Sequence, residues 1–351
     1  MTENPEEALK EFASLEIEPL IADRPAEPRD SSRLMAVRRS DGQLLHRNFR
    51  DLPEFLGRGD MLVLNRSKVW KARLEAKKPG GGRSEILLMA PESGDSTVWT
   101  GLCRKIREGQ VLSCPGGTKA ECLARNPDGS YTFKFSSAVD AAYLDANGAV
   151  PLPQYILNAR KRRGLEAPPD EEKYQTVYAE HPGSIAAPTA GFHFTPELFS
   201  GLETAGVKIV FVTLHIGWGT FRPVRSESPS DHVMMAEECS VSAQTAAAIN
   251  AHRAAGGRLV AVGTSSMRTL ETLSDENGTV RAGTEQAGLF IRPGYRFKTA
   301  GAFITNLHVP DSAPLYMTAA FAGRELLLRA YQEAVKEKYR FYSYGDSMLI
   351  L

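Results

Sequence analysis

The segment Tyr174–Thr195, YQTVYAEHPGSIAAPTAGFHFT, places a tight turn of small residues directly before a predicted helix. The turn consists of Pro188, Thr189, Ala190 and Gly191. Small residues in a turn let the backbone approach a ligand closely. His193 follows, and Thr195 and Pro196 are the residue types favoured at the N-cap and first position of a helix. Because amide groups at a helix start attract anions, the segment predicts a site for a polar or anionic ligand.

Three further segments downstream have the same organisation. Each is an apolar run, predicted as a buried strand, that ends in Gly, Ser or Thr residues. They are Thr213–Val224 (TLHIGWGTFRPV), Gly256–Leu273 (GGRLVAVGTSSMRTLETL) and Phe303–Ser312 (FITNLHVPDS). In the second segment a helix is predicted to begin at Met267. Loops at strand ends meet at one edge of an open α/β sheet, where such sheets bind ligands, so the four segments predict one site.

The composition is typical of a globular protein that does not span a membrane. Of 351 residues, 42% are hydrophobic and 24% are charged. No apolar run approaches the roughly 20 residues that a membrane-spanning helix needs, and the acidic N-terminal segment is unlike a signal peptide. The cysteines show no paired short spacing, so reduced thiols are favoured over a structural zinc site. We therefore expect a cytoplasmic protein without a metal.

Positive charge is concentrated in two stretches, although the formal net charge of the chain is zero. Residues 58–83 hold eight Lys or Arg residues against two acids, and Arg160–Arg163 is a run of four bases. Such clusters can neutralise the phosphates of a nucleic acid. Their alternative interpretation is a solvated face of the protein, and composition alone leaves both open.

The pattern of apolar runs divides the chain into three parts. Between about residues 66 and 148, short alternating runs broken by Gly, Pro and Asn predict a small antiparallel barrel or sandwich. After Gly148, helices alternate with strands, which is typical of an α/β domain. We therefore predict an α/β main domain with an inserted small antiparallel β-barrel domain. Its parts are residues 1–60 and 150–351 for the main domain and residues 61–149 for the insert.

A series of long motifs resembles, in the same order, those of the S-adenosylmethionine:tRNA ribosyltransferase-isomerase family of queuosine biosynthesis. The resemblance runs from about residue 20 to the end of the sequence. Its motifs are RPAEPRDSSRLM (Arg24–Met35), DLPEFLGRGDMLVLN (Asp51–Asn65), LPQYI (Leu152–Ile156), YQTVYA, APTAGFHFT, TLHIGWGTF, AVGTSSMRTLE, FIRPGYRF, ITNLHVP and YRFYSYGDSMLI.

The resemblance implies the same fold, an α/β domain interrupted by a small β-barrel. It implies transfer of the ribosyl part of S-adenosyl-L-methionine to 7-aminomethyl-7-deazaguanine at the wobble position of tRNA. The ribose is rearranged to an epoxycyclopentanediol, which gives epoxyqueuosine, while adenine and methionine leave. The implied partners are S-adenosyl-L-methionine as co-substrate and the tRNA, with no metal, and we expect a monomer.

The chain departs from the usual family motifs at four places. Met235 stands where the family commonly has the second histidine of His-x-Met-His. The other departures are Asn65–Lys68, Leu152–Tyr155 and Thr305–Pro314. Two alternatives to the implied function follow. One is a paralogue that uses S-adenosylmethionine on another acceptor, and the other is a catalytically silent RNA-binding protein on the same fold.

Histidines titrate nearest neutral pH and are the first candidates for the proton transfers that the implied reaction needs. Those in the resembling motifs include His193, His215, His232 and His308. The alternative for each is a buried histidine that only makes hydrogen bonds. Asp346, in the motif SYGDSML, could orient a histidine or bind the ammonium group of the co-substrate. Its alternative is a salt bridge or a helix cap.

The glycine-containing loops are the predicted binding site for S-adenosylmethionine. The predicted contacts are Pro188, Thr189, Ala190, Gly191, Gly217, Gly219, Thr220, Gly263, Thr264, Ser265 and Arg268. Because the resembling family acts on tRNA, the resemblance favours phosphate binding over a solvated face as the interpretation of the basic residues. The candidates for contact with its backbone are Arg29, Arg33, Lys68 and Arg73.

Overall fold

The fold contains seventeen strands within residues 9–92, 94–166, 170–221 and 234–351, which this computed structural model describes. They are β1 (Arg33–Val37), β2 (Leu44–Asn48), β3 (Asp60–Asn65), β4 (Ser67–Val69), β5 (Arg73–Lys77), β6 (Arg83–Glu92), β7 (Asp95–Cys103), β8 (Val111–Ser113), β9 (Lys119–Arg125), β10 (Tyr131–Phe135), β11 (His181–Ser184), β12 (Lys208–Leu214), β13 (Glu237–Val241), β14 (Arg258–Val262), β15 (Gly283–Ala287), β16 (Ala302–Asn306) and β17 (Ser347–Ile350).

Nine α-helices are found in the same described residues. They are α1 (Lys10–Ala13), α2 (Ala141–Asn147), α3 (Gln154–Arg163), α4 (Asp170–Lys173), α5 (Pro196–Thr204), α6 (Ala243–Ala254), α7 (Gly263–Thr272), α8 (Ala313–Ala322) and α9 (Arg324–Lys336). No helix in this part of the chain is long and apolar enough to cross a membrane.

A nine-stranded mixed sheet forms the main domain, in the order β15-β13-β12-β3-β14-β16-β17-β1-β2. Its centre is parallel, because β3 pairs in parallel with both β12 and β14, and β14 pairs in parallel with β16. The carboxyl ends of these four strands therefore meet at one edge. The segments that follow β12, β14 and β16 contain three of the four loops that the sequence predicted to meet.

The central strand β3 shows why the sheet is covered on both faces. All six of its residues, DMLVLN, are buried. Met61 and Val63 pack in one cluster with residues of α6, α7 and α9, whereas Leu62 and Leu64 pack in another with residues of α5. Successive side chains of a strand point to opposite faces, so a continuous apolar run suits a strand buried between two layers.

A closed six-stranded barrel, β10-β7-β6-β5-β8-β9, is inserted into this domain. Every pair of neighbours in it is antiparallel. The barrel has its own apolar core, which includes Leu74, Ile86, Trp99 and Phe133. The predicted fold class, an α/β main domain with an inserted small antiparallel β-barrel, is confirmed.

The predicted domain limits, 1–60, 61–149 and 150–351, stay a prediction. Strand pairing bears on the first of them, because β3 belongs to the large sheet and the barrel strands begin at Arg73. We therefore propose that the insert starts after Asn65.

The helix predicted to begin at Met267 begins instead at Gly263, which has a φ of 82° that favours glycine.

Candidate active-site cavity

A cavity of about 570 Å³ lies between the barrel and the carboxyl edge of the large sheet. The main domain supplies most of its wall, including Pro151–Tyr155, Ala186–Ala190, Gly263–Ser265, Thr305–Asn306 and His308–Ser312. The barrel supplies Glu85 and Leu87 from β6, Leu102 from β7 and Arg104 directly after it. Concave clefts between domains, with a few polar groups on an apolar wall, are a usual form of a small-molecule site.

The N-terminus of α7 opens into this cavity through Gly263, Thr264 and Ser265. No side chain caps this helix end, whose N-cap position is Val262. The first amide groups of a helix have no partner within the helix and carry a partial positive charge. This end of α7 is therefore suited to a carboxylate or another anionic group of a ligand.

The predicted turn Pro188–Gly191 contributes three of its four residues to the cavity wall. The hydroxyl of Thr189 donates a hydrogen bond to Asn306 Oδ1 at 3.1 Å, which ties this turn to the end of β16. Gly191 is buried behind the wall, and a Cβ placed on it would lie 1.9 Å from Tyr178 Oη. Gly191 therefore permits close packing, whereas Pro188, Thr189 and Ala190 face the cavity.

Replacing Gly191 by alanine is expected to destabilise the protein by about 1–3 kcal/mol, because overpacking forces neighbouring groups to shift. The free energy of urea-induced unfolding measures this effect. Gly201→Ala in α5 is the matched control, since a Cβ on Gly201 meets nothing within 4 Å. An Ala for Gly exchange in an open helix stabilises by up to about 1 kcal/mol. Equal unfolding free energies for the two variants would contradict this packing argument.

His193 is buried and makes hydrogen bonds with both ring nitrogens. The amide Nδ2 of Asn306 donates to Nε2 at 3.3 Å, and Nδ1 lies 2.7 Å from Ser32 Oγ. Since an amide nitrogen can only donate, the proton of His193 belongs on Nδ1. Burial lowers the pKa of His193 to about 3, so the ring is neutral. Through Asn306 and Thr189, His193 fixes two groups of the cavity wall that it does not itself form.

Of the histidines that the structure describes, His308 is the one that lines the cavity. Its Nε2 lies 2.6 Å from the hydroxyl of Thr305, which is buried at the end of β16. A hydroxyl can donate or accept, so Thr305 supports either tautomer of the ring. Because Thr305 occupies Nε2, Nδ1 is the nitrogen available to a ligand. Burial lowers the pKa of His308 to about 3, which keeps the free ring neutral.

Arg268 and Gly217 belong to a buried network beside the cavity. Arg268 donates to the carboxylate of Glu237 and to the carbonyl of Ala287. Gly217 donates its amide to Glu237 Oε1 at 2.7 Å. With side-chain exposures of 7% and 5%, the Arg268–Glu237 ion pair is enclosed in the protein. Arg268, which was predicted to contact S-adenosylmethionine, thus has an ion-pair partner within the protein.

The remaining loop residues around β12 lie next to the cavity. Ile216 and Trp218 line it, whereas Gly217 and Gly219 do not. The Nδ1 atom of His215 is buried without a hydrogen-bond partner among the described residues, and burial lowers the pKa of this ring. His232 lies outside the described residues, and the side chain of Thr220 is likewise not described.

Asp346 is buried, with 1% exposure, and does not line the cavity. Its carboxylate accepts hydrogen bonds from the amides of Arg33 and Arg340, at 3.0 and 2.8 Å. The guanidinium of Arg340 adds two more, at 3.3 and 3.1 Å. These partners correspond to the salt-bridge alternative for Asp346, and they hold the segment that carries the cavity residues Tyr342 and Ser343.

The four residues predicted to contact tRNA differ in whether their charged groups already contact other groups of the protein. Arg29 donates to three backbone carbonyls, of Glu172, Lys173 and Gln175. The guanidinium of Arg33 lies 3.8 Å from the centre of the Tyr339 ring. Arg73 Nε lies 3.8 Å from Glu85 Oε2, and Lys68 is exposed. Arg29 and Arg33 therefore have structural partners, whereas Lys68 offers its charge to solvent.

Among the cavity residues that were not predicted as site residues are Asn306, Tyr155 and Ser343. Asn306 is described above, and Tyr155 shares a hydrogen bond with Ser343. Burial raises the pKa of Tyr155 to about 12, so it stays a neutral hydroxyl. Tyr155 and Ser343 lie in two of the motifs quoted above, LPQYI and YRFYSYGDSMLI, and this was the signal in the sequence that could have identified them.

Within the described residues, no group of three or more His, Cys, Asp or Glu could hold a metal ion. That the reaction needs no metal stays a prediction.

Comparison with known proteins relates this fold and cavity to one family. The model of a family described as queuosine biosynthesis protein matches residues 12–350. The S-adenosylmethionine:tRNA ribosyltransferase-isomerase of Symbiobacterium thermophilum is 48% identical over 338 residues, covering 95% of this chain and 96% of that protein. The protein of the same name from Moorella thermoacetica is 46% identical over 338 residues, covering 94% and 96%.

A solved structure supports the same relationship. The S-adenosylmethionine tRNA ribosyltransferase of Thermotoga maritima has a TM-score of 0.53 and 35% sequence identity, and the match covers 96% of this chain and 98% of that one. The match in sequence thus extends over nearly the whole chain, in agreement with the motifs. This chain belongs to the queuosine biosynthesis family that contains the S-adenosylmethionine:tRNA ribosyltransferase-isomerases.

Proposed function

We propose that this protein transfers and isomerises the ribosyl moiety of S-adenosylmethionine onto 7-aminomethyl-7-deazaguanine at the wobble position of tRNA. The products are epoxyqueuosine-tRNA, adenine and methionine. The observation that carries this function is the cavity at the carboxyl edge of the sheet, where the uncapped helix α7 meets His308 and Asn306. It lies in a chain that is 46–48% identical to two proteins with this name.

The zwitterionic methionine part of S-adenosylmethionine fits two features of the cavity. Its carboxylate would bind the amides of Gly263, Thr264 and Ser265 at the start of α7. Its positive groups would face Asp311, which also lines the cavity. Asp311 has a φ of 56°, a conformation that costs free energy in a residue other than glycine. Such strain at a cavity wall supports a binding role for this carboxylate.

The reaction begins with loss of a proton from the ribose C5′, which the neighbouring sulfonium makes acidic. We assign His308 as the residue that takes this proton through Nδ1, while Thr305 holds Nε2. A base must be within reach of the proton that it abstracts, and His308 lies on the cavity wall. His193 would act as a positioning residue, because it contacts Asn306 and lies behind the wall.

The other predicted roles follow from position in the same way. Trp218 and Tyr155 offer aromatic faces on which the adenine or the tRNA base could stack. Asp346 and Arg268 would hold the surrounding segments and not contact the co-substrate. We further propose that the protein is a cytoplasmic monomer that needs no metal, and that Lys68 contacts tRNA.

Two alternatives stay distinct from this proposal in their products. A paralogue would release adenine from S-adenosylmethionine with another acceptor, and a silent RNA-binding protein would leave the co-substrate intact. Both alternatives were suggested by the departures from the family motifs at Met235 and Thr305–Pro314. Part of Thr305–Pro314 lines the cavity. The identity of 46–48% over nearly the full length disfavours both.

The decisive experiment incubates the protein with S-adenosylmethionine and tRNA bearing 7-aminomethyl-7-deazaguanine. Free adenine and the mass of the modified nucleoside are then measured. Adenine together with the mass of epoxyqueuosine is the expected result. Adenine without that mass would indicate another acceptor. An intact co-substrate, with tRNA bound by a folded protein, would indicate a silent binder.

A further inference from the structure

Two loops lie side by side at one end of the barrel. The turn between β5 and β6 is closed by hydrogen bonds from Lys78 N to Gly82 O and from Gly81 N to Lys78 O, each 2.8 Å. Lys78 Nζ then donates to the carbonyl of Lys105 at 2.8 Å. Lys105 follows β7, so this contact joins two loops that are separate in the sequence. Bases from both are thereby brought together.

Six bases form what we call the basic rim of the barrel. Five of them are exposed and Lys78 is half-buried, and none makes an ion pair with another described residue. The rim consists of Lys77, Lys78, Arg83, Arg104, Lys105 and Arg107. Three carboxylates lie near it, fewer than the six bases. Glu85 faces Arg73, and Glu108 accepts the amide of Arg125 at 3.0 Å and keeps its negative charge. The third is Glu75, which pairs in register with Glu85.

The basic rim is continuous with the cavity, because Arg104 belongs to both. Glu85, Leu87 and Leu102 extend the same outer face of the barrel into the cavity wall. The formal net charge of the whole chain is zero, so this concentration of positive charge is local. A local cluster of bases beside a cleft attracts a polyanion and directs it toward that cleft.

We propose that the basic rim binds phosphates of the tRNA anticodon arm and so directs the wobble base into the cavity. This inference rests on the proposed function, since it takes tRNA as the partner. It extends the proposed tRNA contact from Lys68 to the loops at one end of the barrel. Backbone phosphate contacts position a nucleic acid without reading its sequence, which suits long, exposed Lys and Arg side chains.

The test compares two double variants that each remove two positive charges. Arg83→Gln with Arg107→Gln neutralises part of the rim and leaves the cavity residue Arg104 in place. Arg58→Gln with Lys208→Gln is the matched control, since both residues are exposed at the opposite edge of the sheet, near the start of β3 and β12. The probe is the substrate tRNA, bound to the protein at several salt concentrations and followed by fluorescence anisotropy.

The rim variant is expected to bind tRNA on the order of tenfold more weakly near 0.15 M salt, with a flatter salt dependence. Each lost phosphate contact reduces the slope of log K against log salt by about 0.7–0.9. The KM for tRNA should rise, while kcat at saturating tRNA stays that of the wild type. The control variant should keep the affinity and the slope of the wild type.

The outcomes separate this inference from the proposed function. Unchanged affinity and slope in the rim variant would overturn the role of the rim, whether or not the wild type makes epoxyqueuosine. An equal loss in both variants would overturn it too, because the effect would then reflect total charge. A wild type that releases no adenine would count against the proposed function, while the binding curves would still decide the role of the rim.

Discussion

Replacing His308 by alanine is expected to reduce kcat for adenine release by about 10²–10⁴-fold, the usual contribution of a positioned acid or base. The physical reason is its place: its ring lines the cavity, and the hydroxyl of Thr305 holds Nε2 at 2.6 Å. The cavity itself should remain, so the affinity for S-adenosylmethionine should change little. Single-turnover release of adenine measures the first quantity and calorimetric titration measures the second.

Two further variants make this result specific. Thr305→Val removes the partner of Nε2, and it should lower kcat less than His308→Ala because the base itself remains. His46→Ala is the control, since His46 contacts Tyr339 at 2.7 Å and does not line the cavity. If His308→Ala keeps a rate within tenfold of the wild type, the base must be sought elsewhere, including His232.

The depressed pKa of His308 predicts how the rate responds to pH. Because the value in the folded protein is about 3, the ring is neutral above that pH and does not titrate between about pH 5 and 8. The rate should therefore show no step from this histidine in that window.

His193 has the same depressed pKa. Both rings oppose protonation in the folded state only, so their contribution to stability is present above about pH 6.5 and is lost as pH falls toward 3.

The position of the candidate cavity could be predicted from the sequence because it depends on strand ends. Gly263 follows the apolar run of β14, and Thr305 and Asn306 end that of β16. Parallel strands bring their carboxyl ends to one edge, so local patterns were enough to place these loops together. The turn Pro188–Gly191 joined them through the contact between Thr189 and Asn306.

The roles of individual side chains could not be predicted in the same way. Whether His193 or His308 faces the cavity depends on how the turn packs against β16, and both lie in similar motifs. Arg268 lies in α7 and its partner Glu237 lies in β13, so neither local segment of the sequence indicates that the two form an ion pair. The contribution of Arg104 and the barrel to the cavity wall depends on how the two domains pack together. The hydrophobic periodicity of a single strand carries no information about that packing.

Replacing Asp346 by alanine is expected to lower the free energy of unfolding by about 3 kcal/mol. Removing one partner of a buried ion pair costs about 3–5 kcal/mol. The value should be near the lower limit, because the Arg340 side chain keeps 34% exposure and can be partly hydrated. The amides of Arg33 and Arg340 lose their acceptor as well. Urea-induced unfolding measures the change.

Activity then decides whether Asp346 acts on the substrate or on the fold. Asp346→Asn keeps an acceptor oxygen and should lose less stability than Asp346→Ala. If the carboxylate only holds the segment with Tyr342 and Ser343, the rate per folded molecule should stay near that of the wild type in both variants, although each loses stability. A variant as stable as the wild type that releases no adenine would contradict this, and it would return Asp346 to a catalytic or binding role. The distinction is measurable because Asp346 lies behind the cavity wall, where a purely structural group can lose stability without losing chemistry.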